Sequence, residues 1–267
     1  MTIVIKNTKT LVDPAKFRFV GLVYALAGTG KTTWVGTLPP DDTGICACDT
    51  GTGSGLLPIV DKAFEYIEPT KLIEVEQFAK GETFPRKKVL VIDNLSTLAR
   101  TLIKDAALAI PSSGSATRAI GVPDLKDYGT IAELTRRLLL NLINSNPDKH
   151  IVVTAHEKYD RPNENDAPGT ESLVGPELAG QMFLAAPSLF DFVLRLRTRS
   201  LLRNPNDAKS RYSQRFLQTN QSPGVIAKCR AMIGKRPLLD QEEVFDLDSG
   251  AGGFPYILDK ISKGYQV

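Results

Sequence analysis

The chain has 267 residues, 42% hydrophobic and 24% charged, which excludes a disordered polypeptide and gives enough length for a self-sufficient core. Its net charge of +3 does not by itself mark a nucleic-acid binder, and three cysteines, two of them spaced as Cys46-Ala47-Cys48, make neither a disulfide framework nor a zinc pattern. With no apolar signal region at the start and no run near the roughly 20 apolar residues of a membrane span, the expectation is a cytoplasmic protein without a membrane partner, its cysteines reduced and buried in a strand.

Along the chain, residues 19–25 (FVGLVYA) form a short apolar run that leads into a glycine-rich turn. Residues 33–38 then read as helical, stopped by Pro39-Pro40. Residues 44–48 are a second apolar run, closed by Asp49 and the series Gly51, Gly53, Gly55, and residues 88–93 (KVLVID) are a third. Residues 105–127 mix a helical start with a loop rich in Ser, Gly and Pro. The spacing of Ile131, Leu134, Leu138 and Leu142 predicts a helix over 130–144, with Thr130 and Glu133 at capping-box spacing and Asn146-Pro147 ending it. Residues 150–155 (HIVVTA) follow as a fourth buried-type strand.

Continuous apolar strands alternating with helices predict an α/β protein with a mostly parallel sheet flanked by helices. Beyond residue 190 the pattern changes. Phe192, Leu194 and Leu196 alternate with Val193, Arg195 and Arg197, and residues 212–219 and 225–230 read as strands joined by a turn at Ser222-Pro223-Gly224. The expected organisation is an N-terminal segment over 1–13, an α/β core over 14–200, and a C-terminal hairpin region and tail over 201–267 packed on the core. The β-prone run at residues 2–5 has the composition to add to a neighbour's sheet edge. Arg195, Arg197, Arg199, Arg203, Lys209, Arg211 and Arg215 stand against a lone Asp207, a local basic excess that suits either a polyanion or a solvated face.

The turn Ala25-Leu26-Ala27-Gly28-Thr29-Gly30-Lys31-Thr32 follows a strand and opens a helix, the context of a GxxxxGK[ST] phosphate loop. Phosphate oxygens need many donors and little bulk, which glycines supply by exposing backbone N–H groups. Ala27, Gly28, Thr29, Gly30, Lys31, Thr32 and Thr33 are therefore the expected ATP-binding residues. Lys31 brings charge to the β- and γ-phosphates, and the Thr32 hydroxyl ligates Mg²⁺. The first glycine of the pattern is Ala25 here. Asp93, closing the run 89–93, is the expected second metal-side group, accepting from Thr32 or holding water on Mg²⁺.

Four stretches, YALAGTGKTT (24–33), VLVIDNLSTL (89–98), IVVTAHEK (151–158) and VIAKCR (225–230), resemble the RecA-like ATPases, most closely the phage Sak-type single-strand annealing proteins. Residues 174–197 (VGPELAGQMFLAAPSLFDFVLRLR) share that resemblance, which covers about residues 14–230. The resemblance implies a RecA-like P-loop core. It also implies an ATPase that senses the γ-phosphate through His156 and receives Lys228 and Arg230 from a neighbouring subunit. RecA-like enzymes place a glutamate after the second strand to orient water; here the sequence reads Cys48-Asp49-Thr50, so Asp49 either takes that role or caps the glycine turn.

Residues 111–123 and 158–176 have loop composition, and the resemblance places such loops against single-stranded DNA. Arg118 lies in the first, and Lys158, Tyr159 and Arg161 in the second, where the ring can stack a base while cations meet phosphates. The implied partners are single-stranded DNA, further copies of the chain in a ring or filament, and a single-strand binding protein, with a role in phage recombination. A nucleotide-switched assembly or regulatory ATPase that never touches nucleic acid uses the same phosphate-loop residues. A helicase or packaging motor fits less well, because the sequence carries no second phosphate loop.

Overall fold

The structure is a computed structural model in which residues 17–49, 54–110, 123–160, 172–204, 211–233 and 235–265 are described. Strands in chain order are β1 (Val20–Ala25), β2 (Thr43–Ala47), β3 (Glu65–Ile67), β4 (Val89–Asp93), β5 (His150–Asp160), β6 (Leu173–Pro176), β7 (Phe192–Leu202), β8 (Arg211–Gln218), β9 (Lys228–Cys229), β10 (Met232–Ile233), β11 (Arg236–Pro237) and β12 (Glu242–Phe245). The helices are α1 (Lys31–Val35), α2 (Leu72–Ala79), α3 (Leu95–Leu98), α4 (Lys104–Ala109), α5 (Leu125–Asn144), α6 (Met182–Leu189) and α7 (Phe254–Gly264). One sheet dominates, in the order β12-β8-β7-β1-β5-β4-β2-β3. From β7 to β3 every neighbouring pair is parallel, whereas β8 and β12 extend the β7 edge antiparallel.

The apolar runs are covered on both faces, as continuous hydrophobic strands require. Leu22 and Tyr24 of β1 pack in a cluster with Phe78 of α2 and Leu138 and Leu142 of α5. Val23 and Ala25 point the other way, into a cluster with Trp34 of α1 and Ile257 and Ile261 of α7. Gly21 interrupts the run because a Cβ there would sit 2.2 Å from the Phe19 ring. Helix α7 buries Phe254, Ile257 and Ile261, each contributing roughly 1.5–3 kcal/mol of burial. It is tied to α1 by the Trp34 indole N–H donating to the Gly252 carbonyl at 2.9 Å. Among the described residues no helix is long and apolar enough to cross a membrane, and Cys46, Cys48 and Cys229 are free and buried.

Several sequence expectations are corrected. The helix expected over 130–144 begins at Leu125, because Asp124 is the N-cap: its carboxylate accepts from the backbone N–H of Lys126 and Asp127, and Asp127 answers by accepting from the N–H of Asp124. Strand β8 does not form a hairpin with residues 225–230. It pairs with β7 and β12, while β9 is only two residues long and joins the far end of β7. The turn itself is present, with the Val225 N–H donating to the Ser222 carbonyl at 3.0 Å. Lys158 and Tyr159 do not begin a loop either; β5 carries them in register with β6, Lys158 opposite Gly175 and Tyr159 opposite Val174. Strand β7 runs through residue 200.

Candidate functional site

The turn between β1 and α1 is built on two glycines with left-handed backbone, Gly28 at φ +75° and Gly30 at φ +108°. Side chains rarely adopt that conformation, so the glycines are needed for the path of the turn and leave backbone rather than side chain facing the cavity. Lys31 opens α1 and is only 7% exposed. Its ammonium donates to the carbonyls of Ala25 at 3.2 Å and Leu26 at 3.3 Å and lies 3.3 Å from the His156 Nδ1. Burial lowers its pKa, opposed at longer range by Asp93, Asp49 and Glu157. A cation held by carbonyls inside the protein, without a carboxylate in contact, gains strongly from an anion.

Asp93 ends β4 beside that turn and is 5% exposed. One carboxylate oxygen accepts from the Thr32 hydroxyl at 2.8 Å and the other from the Thr154 hydroxyl. Burial pushes its pKa up, and the hydroxyls of Thr154 and Thr32 pull against that shift. A hydroxyl and a carboxylate in contact fit Mg²⁺, which keeps several waters and takes its remaining oxygens from phosphate. Thr32 and Asp93 would hold that ion, directly or through water, and it would supply positive charge against a phosphate.

Asp49 follows β2, and its carboxylate accepts from the Asn94 amide at 3.1 Å and the Thr97 hydroxyl at 3.4 Å. It lines a cavity of about 230 Å³ together with Ala27, Gly28, Gly30, Lys31, Thr32, Thr33, Asp93 and His156. Thr29 completes the turn, its N–H donating to the Leu26 carbonyl at 3.3 Å.

His156 stands on β5 opposite Ala25, the last residue of β1. Burial, and next the Lys31 charge, lower its pKa, so the neutral ring can accept from Lys31. Its backbone N–H donates to the Ser96 hydroxyl at 2.9 Å, which donates to the Glu177 carbonyl at 2.8 Å. The Glu177 N–H returns to the His156 carbonyl at 2.7 Å, and the Glu177 carboxylate pairs with Arg100 at 3.2 Å. The nucleotide end of β5 is thereby joined to the segment after β6.

Other expected residues lie apart. Lys228 and Arg230 sit by the first residues of β7, at the opposite end of the parallel strands from the chain's own phosphate loop. Lys228 donates to the Pro187 carbonyl at 2.8 Å and Arg230 pairs with Asp191 at 2.9 Å. Tyr159 is half exposed, and Lys158 pairs with Asp160 at 3.3 Å. Arg118 and Arg161 lie outside the described residues. Three members of the basic run are internally neutralised: Arg195 pairs with buried Glu157 at 2.8 Å, and Arg197 and Arg199 both meet Glu242.

Three site residues were not foreseen: Thr154, Asn94 and Arg215. A hydroxyl inside the apolar run HIVVTA was a usable signal for Thr154, since a buried hydroxyl needs a partner. Arg215 reaches the phosphate loop from β8, and no local pattern links positions so far apart in sequence.

A family model described as an AAA domain matches residues 18–231, a span that includes the phosphate loop, Asp93, His156, Lys228 and Arg230. No curated protein matches the chain. With most of its length in that match and a phosphate loop, metal-side carboxylate and strand-end histidine gathered at one edge of a parallel sheet, the chain belongs to the AAA domain family of P-loop ATPases.

Proposed function

We propose that the protein is an ATP-dependent single-stranded DNA-binding ATPase that assembles into a ring or filament and promotes strand annealing or exchange, as in phage recombination. The observation that carries this reading is the course of β5. It bears His156 at the phosphate cavity and continues without a break to Lys158 and Tyr159, whose side chains are exposed on the β5–β6 hairpin. A change at the γ-phosphate can thus shift a surface that offers a cation and a stacking ring. In this reading Lys228 and Arg230, remote from the chain's own cavity, serve the nucleotide of a second copy. In this reading Asp49 orients the attacking water and Lys31 holds the β- and γ-phosphates.

Anisotropy titrations with labelled oligonucleotides test the reading. Binding should require ATP and weaken steeply with salt, because phosphate contacts release counterions. Affinity indifferent to both ATP and salt would refute it. Lys31→Ala should lower ATP affinity at least about 100-fold, the scale of a lost charge-assisted contact of about 3 kcal/mol. Arg230→Ala should leave ATP binding intact but reduce turnover at protein concentrations where the chain assembles.

A nucleotide-switched assembly ATPase without nucleic acid is the second reading, favoured by the pairing of Arg195, Arg197 and Arg199 with carboxylates. Replacing Lys158 and Arg161 by glutamate separates the two. Loss of DNA binding with ATPase retained supports the first, and unchanged behaviour toward DNA supports the second.

A further inference from the structure

Strand β7 divides its side chains between two environments. Leu194 and Leu196 are buried with Trp34 of α1 and with Ile257 and Ile261 of α7. Alternation turns Arg195, Arg197 and Arg199 to the other face, spaced about 7 Å apart along the strand. Beside them in register stand Gln218, Phe216 and Gln214 of β8, and Glu242 of β12 lies opposite Gln218. At the near end of this row the Arg195 guanidinium donates to the Tyr159 hydroxyl at 3.4 Å. The row therefore begins at the exposed surface of the β5–β6 hairpin.

A cavity of about 440 Å³ opens on the row, and its polar lining is Arg197, Arg199, Gln218, Ser222, Gln241 and Glu242. Among these residues one carboxylate stands against two guanidiniums. Glu242 meets both, yet the Arg197 Nε is buried without a partner, so donors exceed acceptors. The Arg199 side chain is 41% exposed and its guanidinium lies over the Phe216 ring, 4.9 Å from the centroid. An arginine stacked in this way is held in place by cation–π attraction. Its planar fork keeps N–H groups for bidentate contact with phosphate oxygens.

We propose that a single-stranded nucleic acid runs from Tyr159 along β7 and seats a backbone phosphate in this cavity, against Arg199 and Arg197. The Gln218 amide and the Ser222 hydroxyl, bonded to each other at 2.8 Å, add the neutral partners that phosphate and sugar oxygens accept from. Tyr159 and the stacked plane of Arg199 offer surfaces for bases, which an acidic peptide would leave unused. The ion pairs of the row do not cancel its charge: three guanidiniums face two carboxylates, Glu157 and Glu242, and the surplus lies at the cavity. The inference rests on the reading of the β5–β6 hairpin as a strand-binding surface, and it extends that surface onto the antiparallel strands.

The test titrates a labelled oligothymidylate against the full chain with ATP and Mg²⁺ over a series of salt concentrations. Arg199→Gln should weaken binding about tenfold at low salt. It should also lower the slope of log affinity against log salt by about 0.7, the share of one single-strand phosphate contact. Glu242→Gln keeps the shape of the cavity and removes its carboxylate, so it should strengthen binding about threefold, which the loss of a merely structural pair would not do. Unchanged ATP affinity in both variants reports an intact fold. Oligonucleotide affinity and salt slope unmoved by both variants would overturn the proposal; if Lys158→Glu still abolishes binding, the hairpin reading stands without it. A wild-type chain that binds no oligonucleotide would overturn both. Poly-glutamate that binds as tightly as the oligonucleotide, and loses the same factor in Arg199→Gln, would overturn the choice of a nucleic acid.

Discussion

The parallel and antiparallel parts of the sheet treat charge in opposite ways. At the ends of β1, β4 and β5, Lys31 and Asp93 are buried with carbonyls, hydroxyls and a histidine nitrogen as contacts, and neither touches an opposite charge. Toward β8 and β12, charges meet directly: Arg195 with Glu157, Arg197 and Arg199 with Glu242, Lys260 with Asp240 and Glu243. Satisfied pairs hold a fold together, whereas a buried charge supported only by neutral dipoles is kept available for a ligand.

Substitutions can break this contrast. The largest effect is expected from Asp93→Asn, which keeps the shape but removes a charge that burial disfavours. Turnover should fall about 100- to 1,000-fold, the scale of one preorganised electrostatic contact, while the melting temperature holds or rises. A large loss of stability would mean that Asp93 is structural. Glu157→Ala should do the reverse on stability, leaving Arg195 buried without its partner at a cost of about 3 kcal/mol in urea unfolding.

Glu242→Ala is a milder test. It strips Arg197 and Arg199 of their shared carboxylate, and the Arg197 Nε already lacks a partner. A loss of about 1–2 kcal/mol is expected, with ATP affinity unchanged.

The smallest effect is on pH dependence. The His150 Nδ1 accepts the Phe19 N–H at 2.9 Å, and burial, then the Arg18 charge, hold its pKa below the ordinary value. The unfolded chain therefore takes up a proton first as pH drops through the ordinary histidine range near about 6.5, so folded stability declines below that range. The slope should approach roughly 1 kcal/mol per pH unit where the proton difference is full. His150→Asn, whose amide oxygen can accept the same N–H, should flatten the curve. His156, also shifted down, adds a slope of the same sign.

Much of the parallel half was readable because its signals are local. Residues 19–25, 44–48, 88–93 and 150–155 are apolar runs bounded by turns, and each is a strand in the sheet. Gly28, Gly30, Lys31 and Thr32 announced phosphate chemistry by their spacing. The start of α5 was misplaced because Thr130 and Glu133 imitate a capping box that Asp124 and Asp127 actually form. The helical spacing of Phe254, Ile257 and Ile261 is present in the sequence, but that this helix packs on Trp34 is not. The antiparallel half misled because a turn at Ser222-Pro223-Gly224 suggests that its flanking strands pair with each other, when β7 takes both by different ends.

By itself the sequence determined the covered parallel sheet and the phosphate turn, since strand burial and glycine backbone freedom act over a few residues. The tertiary structure alone decided that Thr154 and Thr32 share Asp93, that Arg195, Arg197 and Arg199 of the basic run are neutralised from within, and that Arg215 reaches the turn. Those contacts join residues remote in the chain, and electrostatics depends on distance and burial in space rather than on spacing along the backbone.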